Sequence, residues 1–215
     1  HVQTVPNIDD LISGKAQVDD IRDVDVEDLL SRPPVEPDER LLQANLLDKS
    51  VLVTGAGGSI GSELCRQILR IRPKTLVLFE LSEVALYTID KELEAMAAKL
   101  GIDCRIVPLL GSVQEEARVK EVMEHFSVDT VYHAAAYKHV PLVEQNLIEG
   151  VCNNVLGTLR AARAARDTGV ESFVLVSTDK AVSPTSIMGA SKRFAELVLQ
   201  ALQEGTDSTR FAMVR

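Results

Sequence analysis

The sequence predicts a doubly wound α/β fold, a parallel sheet with helices on both faces. Two observations carry that prediction. Short β-rich apolar runs alternate with longer segments whose apolar residues recur at spacings of three and four. A glycine-rich loop also stands between the first such run and the first such segment, as in a strand–turn–helix unit that binds a dinucleotide. Alternation of this kind implies parallel strands joined by right-handed helical crossovers. The 215 residues are 46% hydrophobic, and a chain of this size buries roughly 70% of its surface on folding. It can hold a full core.

The first 49 residues do not fit the alternation. They carry 12 acidic against 5 basic residues, most of the chain's net charge of −9. Pro33, Pro34 and Pro37 break any helix there. Residues 1–49 therefore read as an acidic arm or linker with one or two short elements and a solvated charged face. Residues 50–215 read as the core. Its expected strands are Ser50–Thr54, Thr75–Glu80, Cys104–Pro108, Thr130–His133, Ser172–Ser177 and Arg210–Val214. Helices are expected over Ile60–Ile71, Val84–Leu100 and Arg118–Phe126, with the longest helical stretch running from about Leu142 to Thr168 and another over Met188–Gln203.

Composition narrows the function classes. The acidic balance, with no basic patch, argues against unaided binding to nucleic acid or to an anionic membrane. Cys65, Cys104 and Cys152 are odd in number and have no paired spacing. That points to small buried hydrophobes in a reducing compartment, not to a disulfide framework or a zinc site. His139 has no partner at ligand spacing, so no metal site is expected. No run reaches about 18 apolar residues, and no charged-then-apolar leader opens the chain. His1 is not a Met, so these statements cover this piece alone.

The candidate binding loop is Thr54-Gly55-Ala56-Gly57-Gly58-Ser59-Ile60-Gly61. Gly55 permits a tight turn, Gly58 lets backbone amides approach a pyrophosphate, and Gly61 allows close helix–strand packing. The helix N-terminus adds partial positive charge facing the phosphates. Glu80 stands at the end of the second strand, where a carboxylate accepts hydrogen bonds from the ribose hydroxyls. It would also repel a 2′-phosphate, which favours NAD over NADP. The fifth strand ends in Ser177-Thr178-Asp179-Lys180, and Met188-Gly189-Ala190-Ser191-Lys192 follows. Strand C-terminal ends face the ligand crevice of such a sheet, so Thr178, Asp179 and Lys180 are placed for chemistry.

The spacing TGxxGxxG resembles that of the extended short-chain dehydrogenase/reductase family. Under that resemblance Leu110-Gly111-Ser112 is the loop beside the adenine, with Ser112 where relatives carry an acid. Ala134, Ala135 and Ala136 are the small residues that leave room for the cofactor, and Asn154-Val155-Leu156-Gly157-Thr158 is similar to the family's Asn-x-x-Gly-Thr helix. Family members also pair a catalytic Tyr with a Lys one turn later. Here Lys192 is present and Met188 stands in the Tyr position. A thioether neither takes nor gives a proton.

Two readings compete for that loss: a degenerate site that only binds a dinucleotide, or a site where other groups move the proton. Thr178-Asp179-Lys180 favours the second. It resembles the nucleotide-sugar 4,6-dehydratases, and within them the membrane-associated polysaccharide and O-antigen branch of UDP-N-acetylglucosamine 4,6-dehydratase type, which also carries Met for Tyr. The similarity includes Ala134–Val143, Ser177–Lys192 and the acidic arm. It implies that hydride leaves C4 for NAD, water is lost across C5–C6, and the hydride returns at C6. Lys180 would take the C5 proton, Asp179 would protonate the departing C6 hydroxyl, Thr178 would bond the C4 oxygen and Lys192 would hold the nicotinamide ribose. Lys138 would touch the sugar or cofactor. The alternative on the same fold is a nucleotide-sugar epimerase or reductase, which needs a Tyr at position 188.

The resemblance further implies a UDP-sugar substrate and a homo-oligomer formed through the helices near 142–168 and 188–203. It implies a cytoplasmic domain of a parent protein anchored in the bacterial inner membrane, with any membrane contact made by parts outside this chain. Phe211–Arg215 looks like the sixth strand just before the sugar-binding region. This piece alone is therefore expected to bind NAD and turn over poorly.

Overall fold

The computed structural model describes Gln3–Thr4, Arg22–Asp23 and residues 38–215 apart from 207. The chain forms two compact units, His1–Asp38 and Glu39–Arg215. In the first, β1 (Gln3–Thr4) pairs antiparallel with β2 (Arg22–Asp23). The proline cluster at 33–37 lies outside the described residues.

The second unit opens with helix α1 (Glu39–Leu46), earlier than the Ser50 start read from the charge pattern. Leu46 at its end is buried with the core. Six strands follow: β3 (Ser50–Thr54), β4 (Thr75–Glu80), β5 (Arg105–Leu110), β6 (Thr130–His133), β7 (Ser172–Val176) and β8 (Arg210–Val214). They form one parallel sheet in the order β5-β4-β3-β6-β7-β8. The chain winds outward from β3 to β5, then crosses back to β6 beside β3. That reversal opens a crevice at the strand C-termini, where such sheets bind ligands.

Alternation along β3 explains why both faces need helices. Val51 and Val53 pack with Cys65, Ile68 and Leu69 of α2 (Ser59–Arg70) and Leu86, Ile89 and Leu93 of α3 (Glu83–Leu100). Leu52 points the other way. It joins Val119, Val122 and Met123 of α4 (Glu116–His125), Ala161 and Ala165 of α7 (Gly157–Thr168) and Leu199 of α8 (Ile187–Glu204). Phe79 and Phe173 are fully buried in this second layer, each worth about 1.5–3 kcal/mol of transfer free energy. The alanine run of α7 keeps that helix close to the sheet.

Two expected elements differ. The third strand runs Arg105–Leu110 instead of Cys104–Pro108. It is an edge strand, paired only with β4, and an edge tolerates the proline that seemed to end it. The continuous helix expected over Leu142–Thr168 is divided into α5 (Val140–Gln145), α6 (Leu147–Val151), a π-helical turn (Cys152–Leu156) and α7. The break is at Asn146, whose backbone leaves the helical region (φ −131, ψ 56) while its side chain donates to the Leu142 carbonyl at 2.9 Å. Asn readily makes such local bonds in place of the helix ladder.

Candidate active site at the sheet crevice

The glycine loop is built by backbone geometry. Gly55 has φ +67, a left-handed conformation, and its N–H donates to the Phe79 carbonyl at 2.8 Å. A Cβ there would lie 2.7 Å from the Ala135 backbone, and one at Gly61 would lie 2.0 Å from the Gly55 oxygen. The turn, β6 and α2 thus meet at contact distances that only glycine allows. The first turn of α2 carries no acidic residue, so its positive end stays available to an anion. A cavity of about 250 Å³ opens there, lined among others by Gly55, Gly57, Gly58, Glu80, Ser112, Ala134 and Ala135.

Glu80, read from its position as a ribose contact, is engaged by three backbone donors. One carboxylate oxygen accepts from the Gly57 N–H at 3.0 Å. The other accepts from Leu81 N–H at 2.9 Å and Ser82 N–H at 3.0 Å. It ties the loop to the end of β4 and faces the cavity with acceptor capacity to spare. Ser112 also lines the cavity, its hydroxyl accepting from Gln114 N–H at 3.2 Å.

Three residues expected at the cofactor do not line this cavity. The Thr54 side chain turns into the core, where its hydroxyl is 2.7 Å from His133 Nδ1. Ser59 is exposed at the start of α2 and is not among the residues around this cavity. Ile60 lines a second cavity instead.

That second cavity, about 200 Å³, brings together Ile60, Lys138, Thr178, Lys180, Met188 and Lys192, and shares Ala134 and Ala136 with the first. Four of the five expected catalytic residues therefore meet beside the loop. Lys192 is 5% exposed and donates to the Val176 carbonyl at 2.7 Å. Burial pulls its ammonium down to about 8, with Glu196 pulling the other way. Met188 is buried one turn earlier on the same helix face.

Asp179 does not line the cavity. Its side chain is 86% exposed, and one oxygen accepts from the Thr178 hydroxyl and from Lys180 N–H, both at 2.9 Å. The Thr178 bond, then the Lys180 charge, hold its carboxyl below the usual range. The Lys180 ammonium is 3.6 Å from that carboxylate, and its side chain is 57% exposed. The described residues do not supply the desolvation that a proton-abstracting amine requires.

The Asn154–Thr158 segment stands out in the sequence without a role for its side chains, and His133 is not singled out for one; the structure shows that they hold these groups from behind. The Asn154 amide accepts from Tyr137 N–H at 2.8 Å and donates to the Tyr137 carbonyl at 2.9 Å and the Ser191 hydroxyl at 3.0 Å. It clamps the loop after β6 to α8. His133 sits fully buried between Thr54 and Thr158. The Thr158 hydroxyl donates to the Asn154 carbonyl at 2.7 Å, so it accepts from Nε2–H of His133, and Nδ1 accepts from Thr54. Burial, with Lys192 adding repulsion, lowers this imidazole to about 3. The signal was present in both cases: a His ending an apolar strand, and an Asn inside a helix.

A family model described as "Polysaccharide biosynthesis protein" matches residues 51–215. The chain belongs to the polysaccharide biosynthesis protein family. Among relatives in the polysaccharide biosynthesis family, the capsular polysaccharide biosynthesis protein CapD of Staphylococcus aureus is 47% identical over 98% of this chain and 35% of its own length. An inverting UDP-N-acetylglucosamine 4,6-dehydratase of Campylobacter jejuni is 31% identical over 78% of this chain and 48% of its own. A UDP-glucose 4-epimerase of Rickettsia bellii is 33% identical over 79% and 48%. Among solved structures, the dTDP-glucose 4,6-dehydratase DesIV of Streptomyces venezuelae, with NAD bound, superposes with a TM-score of 0.62 at 25% identity over 76% of this chain and 54% of that one. The chain spans about a third to a half of the length of the curated relatives it matches.

Proposed function

We propose that the full-length protein containing this chain is a UDP-N-acetylglucosamine 4,6-dehydratase with NAD as its resident cofactor. The observation that carries this reading is the meeting of Thr178, Lys180, Met188 and Lys192 around a cavity that shares two walls with the glycine-loop cavity. An epimerase would need a proton-transferring side chain where Met188 stands.

The residues present fit a dinucleotide. Gly58 faces little besides the Gly55 oxygen at 3.3 Å from its would-be Cβ, which leaves the backbone open to a pyrophosphate. Ala134 and Ala135 leave the floor free of bulk, Ser112 stands at the adenine end, and the Glu80 carboxylate favours NAD over NADP by repelling a 2′-phosphate. When bound, NAD supplies a hydride acceptor that is restored within one turnover.

The chain's own residues would do the rest. Thr178 donates a hydrogen bond to the C4 oxygen. Lys180 removes the C5 proton and gives it back to C5 once the water has left and the C5–C6 double bond is reduced. Asp179, ionised as the site stands, takes the C4 hydroxyl proton as the ketone forms and gives that proton to the leaving C6 hydroxyl. Lys192 holds the nicotinamide ribose, and Lys138 contacts the sugar.

We also assign the parent protein to the bacterial inner membrane, with this chain on the cytoplasmic side. No described helix is long and apolar enough to cross a membrane; the anchor we place, as part of this proposal, in parts of the parent outside this chain. Self-association through the helices near 142–168 and 188–203 is supported by exposed apolar side chains there, Ile148 on α6 and Phe194 on α8.

The test is mass spectrometry of UDP-N-acetylglucosamine incubated with the full-length protein. Loss of one water is expected. An isomer of unchanged mass, a reduced sugar or an unaltered substrate would overturn the reading.

A further inference from the structure

Glu196 lies on α8 one turn beyond Lys192, and its carboxylate is completely buried. It accepts four hydrogen bonds: from the Ser177 hydroxyl at 2.6 Å, Arg193 Nη1 at 2.8 Å, and Arg215 Nε and Nη2 at 2.9 and 2.7 Å. The Arg215 pair is bidentate, the geometry that fixes orientation as well as charge. Glu196 lines neither crevice cavity.

What it grips explains its place. Ser177 immediately precedes Thr178, and Arg215 immediately follows β8. Lys192 holds the Val176 carbonyl at 2.7 Å. Two successive residues at the end of β7 are thus held by two side chains one turn apart on α8. An apolar side chain would close helix against strand with less desolvation cost, since a buried ion pair is rarely the more stable choice. The charge therefore calls for a role other than stability.

We propose that Glu196 is a positioning residue for the reaction, holding the Thr178–Lys180 turn in place through Ser177 and keeping a negative charge beside Lys192. The inference rests on reading that turn and Lys192 as the reaction centre. Charged and titratable groups reach Lys192 from several directions. His133 on β6 and Glu196 on its own helix act on it electrostatically, and Lys138 and Lys180 share its cavity. Asp179 pairs with Lys180, and Arg193 and Arg215 lie beyond the Glu196 carboxylate. Glu144 on α5 meets the first turn of α8 at Ile187 N–H, 2.6 Å away, and Glu149 on α6 lines a neighbouring cavity. The π-helical turn presents the neutral Asn154 to α8, and His133 bonds the neutral Thr158 on α7. Glu196 is the group in this set that holds the Lys192 proton on.

The sign follows from charge. Glu196→Gln removes the stabilising anion, so Lys192 gives up its proton at lower pH. Arg215→Gln leaves the anion less neutralised, so Lys192 keeps its proton to higher pH. The experiment measures NAD affinity against pH, and kcat and KM for UDP-N-acetylglucosamine, in the full-length protein. In Glu196→Gln the alkaline fall in NAD affinity should move down by about one pH unit, and kcat should fall about 100-fold with KM nearly unchanged. In Arg215→Gln the fall should move up. Ser177→Ala should lower kcat and leave the titration where the wild type has it.

Opposite movements in the two charge variants are what a merely structural role cannot produce. Titrations that coincide with the wild type, or shift in the same direction, overturn the inference. If Glu196→Gln does not fold, Arg215→Gln and Ser177→Ala still decide it. A wild-type protein that titrates as stated but releases no water would overturn the proposed dehydratase reading and leave this one standing.

Discussion

The two halves of the crevice are held by different physics. On the β3–β4–β5 side the loop from Gly55 to Gly61 is set by backbone contacts too close for any side chain. On the β7–β8 side the turn Thr178–Lys180 has an exposed Asp179 and Lys180, and its order comes from buried polar groups behind it, Lys192 and Glu196. A site made of backbone is formed before its ligand arrives. A site made of an exposed turn on a buried charge network leaves its reacting groups free to be completed by substrate. Cofactor binding and chemistry should therefore fail separately.

The largest effect should come from breaking the backbone half. Gly61→Val puts a branched side chain where a Cβ alone would lie 2.0 Å from the Gly55 oxygen. Neither partner can move without pulling α2 off β3. Overpacking of this kind costs about 1–3 kcal/mol in a core and more against backbone. The variant should lose NAD binding and unfold at clearly lower denaturant than the wild type, measured by equilibrium unfolding and by cofactor titration. A Gly61→Val protein that binds NAD normally would break the comparison from that side.

The chemistry half should fail without touching binding. In the full-length protein Lys180→Ala and Asp179→Asn should each lower water loss by about 10²–10⁴-fold, the usual worth of a positioned acid or base. NAD affinity should stay within about threefold, about 0.7 kcal/mol, because neither side chain lines the glycine-loop cavity. Full dehydratase activity in either variant would remove that residue from the mechanism. Loss of NAD binding would show that the two halves are not separable.

Much of this was legible in the sequence, and the reason differs between the halves. The glycine loop is local: strand, turn and helix follow each other, so Gly55 and Gly61 could be given roles from spacing alone. The parallel direction of the six strands follows from the same alternation, whereas their order is set by contacts between distant segments. What stayed hidden depends on contacts between distant segments. Glu196 and Arg215 are separated by the last two turns of a helix and a whole strand, and their pairing with Ser177 has no spacing rule. Thr54 read as a loop residue because it borders the glycines, yet its partner His133 lies 79 positions away. The long helix failed for a local reason, since Asn146 and the π-helical turn do not disturb the apolar period that predicted it.

His133 joins the two halves from beneath, and its titration gives a smaller but signed effect. The folded state lowers its imidazole from 6.5 to about 3. Between those limits the unfolded chain takes up a proton that the folded chain refuses. Stability from this group is therefore complete above about pH 6.5 and is lost as pH falls, by about 2 kcal/mol at pH 5. Between pH 7 and pH 5 the Glu196 carboxyl, held down to about 2 mainly by Arg215, is ionised in folded and unfolded chain alike and adds little loss; its own loss begins below about pH 4.5. Unfolding curves at pH 7 and pH 5 should thus differ more for the wild type than for His133→Gln. Equal pH dependence would show that His133 is not the group responsible.

The smallest effect should come from putting at position 188 the Tyr that the short-chain dehydrogenase/reductase pattern carries there. Met188 is 3% exposed and lines the second cavity with Lys192, so Met188→Tyr puts a phenol one helical turn from a buried ammonium. If proton transfer belongs to Thr178, Asp179 and Lys180, the new hydroxyl has nothing to do, and turnover should change by less than about tenfold, about 1.4 kcal/mol. The direction should be downward, because a larger ring with a polar tip must find room and a partner in a site packed around a thioether. A large gain in water loss would mean that the turn alone does not carry the proton, and that the chemistry half, unlike the backbone half, is incomplete in the wild-type protein.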